Sequence, residues 1–368
     1  TNGDANVNFS IDNISVKEYI TATNTPRLDY STGAEAFLLE PQSTNLVTYS
    51  ELFTDVIWTK SGSSVASGFT SPSGGLSAFK LVEGINNGNH ILRNNSITTS
   101  GDTTTSIYAK AEQRNKILLF NGVAGYGFDL LNGTTFASST TIPDSFNITE
   151  LTNGWFKCSI THSTANRCSI YILDDFNSFS YAGDGVSGVY VFGAQVEENS
   201  YATSYIPTSG ASATRNQELC NNATPVINSE EGTLYAEISA LANDGTLRRI
   251  IISDGTTANI VMVSFNSADN QYRSYVISNG SVVFNFIGGF SSSLDFNKIA
   301  ISYSQNNFAL WVNGVEVATD SSGNTPIGLN NLSFDGLNGA TPFFGNTKDL
   351  KYYPKALADV QLEDLTTI

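Results

Sequence analysis

The stretch VYVFGAQVEE, residues 189–198, carries the pattern that decides the fold of this chain. It is an apolar, alternating run that closes on a valine and two glutamates, and this period of two is typical of a strand with one buried face. A run of the same shape, FSIDNISVKE, occupies residues 9–18. We therefore expect residues 1–20 to hold the terminal strand of a preceding domain of the same kind, and the chain to be a fragment of a longer tandem array.

Short runs rich in Val, Ile, Tyr and Phe recur about every 8 to 12 residues along the rest of the chain, separated by Gly, Asn, Ser and Asp, which predicts an all-β sandwich or barrel. The dipeptides Asn132-Gly133, Asn279-Gly280 and Asn313-Gly314 each lie between such runs and favour type I′ hairpin turns. Asn153-Gly154 precedes a strand and is expected only to end a loop. Helical periodicity is confined to the C-terminus, where Asp359 lies at or near the N-cap of one short predicted helix.

Turn-rich stretches divide the chain into two blocks of strands. Residues 21–36 form a polar connector, the first block spans about 37–207, and a linker of small and polar residues covers 208–230. The second block spans 231–368. The two blocks do not look like copies of one another.

Composition excludes several classes of function. The chain has 368 residues, with 18 Lys and Arg against 34 Asp and Glu and a net charge of −16, so no nucleic-acid partner is expected because a nucleic acid would be repelled. No apolar run approaches the roughly 18 residues of a membrane span, which predicts no membrane insertion. With only two histidines, a zinc site has few ligands.

The three cysteines leave alternatives open. Cys158 and Cys168 lie on neighbouring strands, in phase with the apolar residues, and Cys220 lies in the linker. Buried free thiols are the favoured interpretation, and a cross-strand disulfide between the first two is the alternative.

Several motifs carry a family resemblance. Residues 37–215 resemble the carbohydrate-binding-like jelly-roll modules found in structural proteins of tailed phages and prophages, and residues 232–365 resemble concanavalin-A-like or laminin-G-like lectin sandwiches. The motifs for the first are FLLEPQSTNLVTYSELFTDVIWTKS, SIYAKAEQRNKILLF, NGWFKCSIT and, most specific, the AQVEE and ATSYIPT parts of GVYVFGAQVEENSYATSYIPTSGASATR. The motifs for the second are GTLYAEIS, FALWVNGVEVATD and LKYYPKALADVQLEDL. The resemblance implies two jelly-roll β-sandwiches in tandem, and it implies that FSIDNISVKE ends a preceding jelly roll.

No catalytic motif is present in the sequence. Concanavalin-like glycosidases place paired acids on one strand, whereas Glu237 and Asp349 each stand alone on their predicted strands. The sequence also has no GxSxG elbow, no HExxH and no P-loop. The chain is therefore not expected to be an enzyme.

Loops rich in Asp and Asn are candidate structural calcium sites, since hard oxygen ligands suit calcium. The candidate ligands are Asp174, Asp175, Asn177 and Asp184 in the first block, and Asp244, Asp254 and Asn259 in the second. The alternative is that these residues serve turn chemistry.

Sugars are usually bound by flat aromatic rings surrounded by hydrogen-bonding side chains. Trp58, Trp155 and Trp311 are expected in the cores. Four residues on the opposite phase are the candidate glycan ligands: His90, Arg93, Tyr108 and Tyr171.

The sequence thus favours a non-catalytic virion module of a tailed phage, in a tail fibre, spike or capsid decoration, that attaches to host cell-surface polysaccharide. Its expected partners are that glycan and other virion proteins, and it is expected to be a homo-oligomer on the virion surface. The alternatives are a carbohydrate-binding region of a secreted or cell-surface bacterial enzyme or adhesin, and a purely structural assembly piece.

Overall fold

The computed structural model describes residues 26–30, 35–220 and 224–368. Nearly all regular structure in these ranges is antiparallel β, which confirms the all-β prediction. The predicted strand at residues 9–18 lies outside the described residues. No helix in the described ranges is long and apolar enough to cross a membrane.

Eighteen strands precede the second block. They are β1 Arg27–Asp29, β2 Ala36–Leu39, β3 Ser43–Asn45, β4 Trp58–Ser61, β5 Ser63–Phe69, β6 Ala78–Glu83, β7 Asn87–Asn89, β8 Ile91–Asn94, β9 Thr103–Lys110, β10 Lys116–Phe120, β11 Gly125–Asp129, β12 Thr134–Phe136, β13 Ser145–Glu150, β14 Trp155–His162, β15 Cys168–Leu173, β16 Ser180–Ala182, β17 Gly188–Glu197 and β18 Ala213–Arg215.

The first sandwich consists of two six-stranded sheets. Sheet one has the order β12-β11-β10-β15-β8-β4, and sheet two has the order β13-β14-β9-β17-β6-β5. Alternate residues of each strand point between the sheets, so that Ile117 and Ile170 of sheet one and Ile107 and Val191 of sheet two share one fully buried core with Trp58. The remaining alternate residues face outward, and these include three of the four candidate glycan ligands, Arg93, Tyr108 and Tyr171.

The second sandwich is built from β19 Glu231–Ala240, β20 Arg248–Ser253, β21 Ile260–Phe265, β22 Gln271–Ser278, β23 Ser281–Gly289, β24 Asn297–Ser304, β25 Asn307–Val312, β26 Val315–Asp320, β27 Asn331–Ser333, β28 Gly345–Tyr353 and the helix α1 Asp359–Thr366. Sheet three has the order β1-β2-β28-β19-β24-β25-β26, and sheet four has the order β23-β22-β21-β20-β27. Leu362 of α1 packs with Tyr235 and Trp311 on sheet three. The helix begins at Asp359, one residue after its N-cap Ala358, as predicted to within one position.

The strand pairing differs from the expected division in one place. Residues 37–39, assigned from sequence to the first block, pair with β28 of the second sandwich, with Phe37 opposite Thr347 and Leu39 opposite Gly345. Leu39 is buried in the second core, which explains the pairing. Part of the expected connector, β1, extends the same sheet. The other boundaries stay predictions.

Two of the three predicted hairpin turns have the expected backbone. Both residues of Asn279-Gly280 and of Asn313-Gly314 have positive φ. Asn132 does not, because the Asp129 carboxylate accepts hydrogen bonds from the backbone N–H groups of Leu131 and Asn132 and draws the chain into a longer turn. Asn153-Gly154, expected only to end a loop, has positive φ at both residues and joins β13 to β14.

All three cysteines are free thiols, so the disulfide alternative is wrong. Cys158 and Cys168 lie on opposite sheets of the first sandwich, and both are fully buried. Burial raises the pKa of the Cys168 thiol to about 12. The three tryptophans are buried as predicted.

Candidate functional site

The candidate site lies on the outer face of sheet one. In β10, Ile117 and Leu119 point into the core, so Leu118 and Phe120 point outward. In β15 the same alternation buries Ile170 and Ile172 and turns Ser169 and Tyr171 outward. Because β10 pairs with β15, Phe120 lies opposite Ser169, and Leu118 lies opposite Tyr171.

These outward side chains line an open cavity of about 440 Å³, which we name the Tyr171 groove. Its wall includes Asn89, Leu118, Phe120, Ser138, Tyr171 and Phe179. Edge-to-face contacts join three of its rings: the ring centroids of Phe120 and Tyr171 are 6.3 Å apart, and those of Tyr171 and Phe179 are also 6.3 Å apart. Phe179 is 45% exposed, so this row of rings presents apolar surface to solvent.

Two glycines of β11 leave room for the neighbouring rings. A Cβ atom on Gly125 would lie 2.8 Å from the Phe120 ring, and a Cβ atom on Gly127 would lie 2.4 Å from the Phe136 ring. Both separations are shorter than a van der Waals contact, so the two rings can lie against the strand only because no side chain is present there. The Lys116 ammonium lies 5.8 Å from the centre of the Phe136 ring.

Buried polar atoms without partners occur at the same place. Arg93 of β8 is the cross-strand neighbour of Ser169. The Arg93 Nε, Ser169 Oγ and Ser138 Oγ atoms are all buried, and none has a hydrogen-bond partner among the described residues. Most buried polar atoms in folded proteins are hydrogen-bonded, so a group of unpartnered atoms beside exposed rings points to a place where a polar ligand is received.

Of the four predicted glycan ligands, Tyr171 lines the groove and Arg93 borders it. His90 is fully buried, and its Nδ1 and Nε2 atoms lie 2.5 Å from the Gly62 carbonyl oxygen and 3.2 Å from the Tyr181 carbonyl oxygen. It therefore has no surface to offer a sugar. Its position between β7 and β8 did not reveal this, because the loop that covers it comes from residues 181–183.

Tyr108 is also unavailable. It lies on the outer face of sheet two, where it packs against Phe192 and Tyr205, with ring centroids 6.0 and 5.8 Å away. Burial, together with the nearby carboxylates Glu40 and Glu197, raises the pKa of its hydroxyl to about 12. The residues after β17 fold back over this face, and the strand pattern alone does not indicate that cover.

Sequence reasoning missed Phe120, Phe179 and Ser169. The alternation in KILLF, residues 116–120, places Phe120 on the same face as Leu118, and this signal could have identified it. Phe179 lies in the loop that contains the candidate calcium ligands of the first block. Ser169 is a small residue whose role depends on its cross-strand neighbours.

The calcium candidates of the first sandwich are engaged in turns. Asp174 Oδ1 accepts from the backbone N–H groups of Phe176 and Ser178, and Asn177 has positive φ. Asp184 accepts from the backbone N–H groups of Val186 and Ser187 and from the Ser187 hydroxyl. These hydrogen bonds hold the pKa of Asp184 well below its usual range. The backbone carbonyl of Asp175, the remaining candidate, accepts from the Lys116 ammonium.

The candidates of the second sandwich are engaged in a similar way. Asp244 pairs with Arg248, and Asp254 accepts from the Asn259 side chain and from Thr256. The Asn259 side-chain oxygen accepts from the backbone of Asn279 and Ile327. Within the described ranges, no three His, Cys, Asp or Glu side chains are grouped so that they could hold a metal ion. Calcium binding stays a prediction.

The two isolated acids meet across the sheet. Glu237 of β19 lies directly opposite Asp349 of β28, which the separate strands did not reveal. Lys348 Nζ lies 3.0 Å from a Glu237 carboxylate oxygen, and Lys351 pairs with Asp349. Each acid therefore has its own cation.

A larger cavity of about 650 Å³ lies where the sandwiches meet, lined by residues that include Asp144, Lys157, Tyr201 and Asp244. Three of its charged groups already have partners: Asp144 accepts from the Ser163 backbone N–H, Lys157 Nζ donates to the Thr203 carbonyl oxygen at 2.6 Å, and Asp244 accepts from Ser200 as well as from Arg248. The Tyr171 groove is the better candidate because its polar atoms are unpartnered and its rings are exposed.

Comparisons with solved structures find partial similarity. The CBM40 module of the Ruminococcus gnavus IT-sialidase is 18% identical, with a TM-score of 0.33, over 38% of this chain and 84% of that one. Domain 4 of AbnA, a GH43 extracellular arabinanase from Geobacillus stearothermophilus, is 15% identical, with a TM-score of 0.33, over 43% of this chain and 73% of that one. A SAP-like pentraxin from Limulus polyphemus is 14% identical, with a TM-score of 0.29, over 37% and 69%. No protein-family model and no curated protein matches the chain.

Proposed function

We propose that this chain is a non-catalytic carbohydrate-binding protein and that the Tyr171 groove holds the glycan. The observation that carries the proposal is the juxtaposition of three contacting rings with three unpartnered buried polar atoms on one open sheet face. A pyranose has an apolar face of C–H groups and a rim of hydroxyls, and it needs both kinds of surface at once.

The chemistry of binding follows from the two halves of the groove. The apolar face of a sugar ring packs against Tyr171 and Phe179. Its hydroxyls donate to or accept from Ser138 and Ser169, and they accept from the Arg93 guanidinium. The groove is open, so it leaves much of a ligand in water and favours weak binding at each site. Several copies held together would then strengthen attachment by raising the effective concentration of the next contact.

The biological setting is a proposal that rests on sequence alone. The AQVEE and ATSYIPT motifs resemble virion modules of tailed phages, which supports a role in host attachment on a virion surface, together with other virion proteins and as a homo-oligomer. A carbohydrate-binding region of a secreted bacterial enzyme fits the groove equally well. The genes on either side of this one distinguish the two settings.

Glycan-array screening followed by titration calorimetry tests the groove. We expect Tyr171→Ala to weaken binding of the best array ligand about tenfold or more, since burial of an aromatic ring against a ligand contributes on the order of 1.5–3 kcal/mol. Tyr190→Ala is the matched control. Tyr190 is a half-buried tyrosine of the same sandwich. It packs against Phe69 on sheet two, away from the groove, so loss of its ring should leave the affinity for the glycan unchanged.

Two results would overturn the proposal. The first is an array on which no glycan binds. The second is a bound glycan whose affinity is the same for wild type and Tyr171→Ala, which would move the site elsewhere on the molecule.

A further inference from the structure

The arginines of this acidic chain fall into two groups, those that pair with a carboxylate and those that do not. Arg27, Arg114, Arg215 and Arg248 each pair with a carboxylate. Such pairing is expected where acidic side chains outnumber basic ones by 34 to 18. In the described part of the chain, Arg93, Arg167, Arg249 and Arg273 have no carboxylate partner, and the first two of these border the Tyr171 groove.

Strand register and chain position bring Arg93 and Arg167 to the neighbourhood of the same ring, Phe120. Ser169 lies between Arg93 on β8 and Phe120 on β10, because β15 pairs with both strands. The Arg167 guanidinium lies 5.7 Å from the centre of the Phe120 ring. Arg93 therefore lies one strand away from the ring row, across Ser169, and the Arg167 guanidinium lies over the Phe120 ring itself.

Both guanidinium groups keep donors free. Arg93 Nε is buried without a partner, and the Arg167 Nε donates to the side-chain oxygen of its neighbour Asn166 at 3.1 Å. A guanidinium has five N–H donors in a planar fork. Leaving two such forks without an acid, in a chain with a surplus of 16 negative charges, is the arrangement expected where the ligand brings the negative charge.

Resting on the proposed function, we propose that the Tyr171 groove takes an acidic glycan, one whose sugar ring carries a carboxylate. The sugar ring packs on the aromatic row, and its carboxylate accepts hydrogen bonds from Arg93 or Arg167. The net negative charge of the remaining chain repels an anionic polysaccharide, so these arginines also fix where on the molecule it can be held.

The test is calorimetric titration of the full chain with pairs of oligosaccharides that differ only in the acid. The probes are oligogalacturonate, oligoguluronate and sialyllactose, each compared with its carboxyl-reduced or desialylated counterpart. We expect at least one acidic member to bind about tenfold or more tightly than its neutral partner, the ratio expected from charge-assisted hydrogen bonds. A sulfated oligosaccharide of the same backbone distinguishes carboxylate recognition from attraction to any anion.

Arginine variants test whether the preference for the acidic oligosaccharide comes from Arg93 and Arg167. Arg93→Gln and Arg167→Gln together should reduce the acid-to-neutral affinity ratio to about one, and Arg93→Lys should restore part of it. Arg273→Gln is the matched control, since Arg273 is also without a carboxylate partner but lies on sheet four beside Tyr275. Thermal melts of each variant exclude loss of folding as the cause.

The outcomes separate this inference from the proposed function. If neutral glycans bind as tightly as their acidic partners and Tyr171→Ala still weakens both, the groove is confirmed as the site and the preference for an acid is wrong. If a sulfated glycan binds as tightly as the carboxylate, recognition is of charge alone and the inference is also wrong. If none of these probes binds but the array finds another glycan whose binding Tyr171→Ala weakens, the inference alone is wrong. If the array also finds no ligand, both proposals are overturned.

Discussion

Glu83 shows how a buried charge is held in this protein. Its carboxylate is fully buried and accepts from Arg114 Nε at 2.8 Å, from Arg114 Nη2 at 2.9 Å, from the Tyr181 hydroxyl at 2.7 Å and from the Asp184 backbone N–H at 2.9 Å. Desolvation opposes ionisation of Glu83, but these hydrogen bonds outweigh it and hold its pKa below the usual range. Through its hydrogen bonds to Tyr181 and Asp184, Glu83 therefore holds the segment that follows Phe179 at the edge of the first sandwich.

A carboxylate whose pKa is lower in the folded state stabilises the fold above its unfolded pKa and loses that contribution as the pH falls through its folded pKa. We therefore expect the free energy of unfolding to decline as the pH falls below about 4.3, the ordinary value for Glu. Glu83→Gln should cost about 2–3 kcal/mol at neutral pH and should flatten this acid limb. Urea denaturation between pH 7 and pH 3 measures both effects.

Glu150→Gln is the control for this prediction, because Glu150 is an exposed glutamate of β13. Its unfolding curve should follow that of wild type at every pH. An acid limb that stays equally steep in Glu83→Gln would show that other carboxylates cause it.

At the scale of elements, the end of β17 depends on a second buried acid. Glu197 is fully buried and accepts from the hydroxyls of Ser43 and Thr203, from the Thr203 backbone N–H and from the side chains of Gln195 and Asn199. The Gln195 side-chain oxygen accepts from the Ile206 backbone N–H. The Q-x-E pattern in AQVEE and the following ATSYIPT are therefore one structural unit, in which β17 holds the segment that folds back over it.

Glu197→Gln should destabilise the protein by about 1–3 kcal/mol, since the new amide NH₂ would face donors that the carboxylate now satisfies. Glu198→Gln changes the next residue, which is exposed, and should alter the free energy of unfolding by less than about 0.5 kcal/mol. Chemical denaturation of both variants measures the difference. Equal stabilities would show that water replaces the lost hydrogen bonds, and that the network does not hold the segment.

Local sequence patterns predicted the strands and turns better than they predicted which strands lie side by side. A period of two identified the strands, and Asn-Gly identified the turns at 279–280 and 313–314, because both depend only on residues close in sequence. The sequence identified only two residues of the candidate site, Tyr171 and Arg93. The remainder depends on strand register: Ser169 joins Arg93 to Phe120 only because β15 lies between β8 and β10, and no local pattern encodes that order.

At the scale of the whole molecule, the two sandwiches are tied together by chain crossings and by charge. The chain passes from β2 in sheet three to β3, which pairs with β18 beside the first sandwich, through only residues 40–42. Arg27 of β1 pairs with both Glu40 and Glu218, and Arg215 Nη1 lies 3.0 Å from Glu40. Both glutamates are buried, so removing their arginine partners would leave uncompensated buried charges at the junction.

This junction predicts that the two sandwiches unfold together. Differential scanning calorimetry of the full chain should show one transition, with a calorimetric enthalpy close to the van't Hoff enthalpy, because separating the sandwiches would break the ion pairs and hydrogen bonds of Glu40 and Glu218. The double variant Arg27→Gln with Arg215→Gln removes both cations and should split this transition into two. Lys348→Gln removes a cation that pairs with Glu237 within sheet three, and it should lower the melting temperature slightly while keeping one transition. Two transitions in the wild type, or one in the double variant, would show that the ion pairs do not couple the sandwiches.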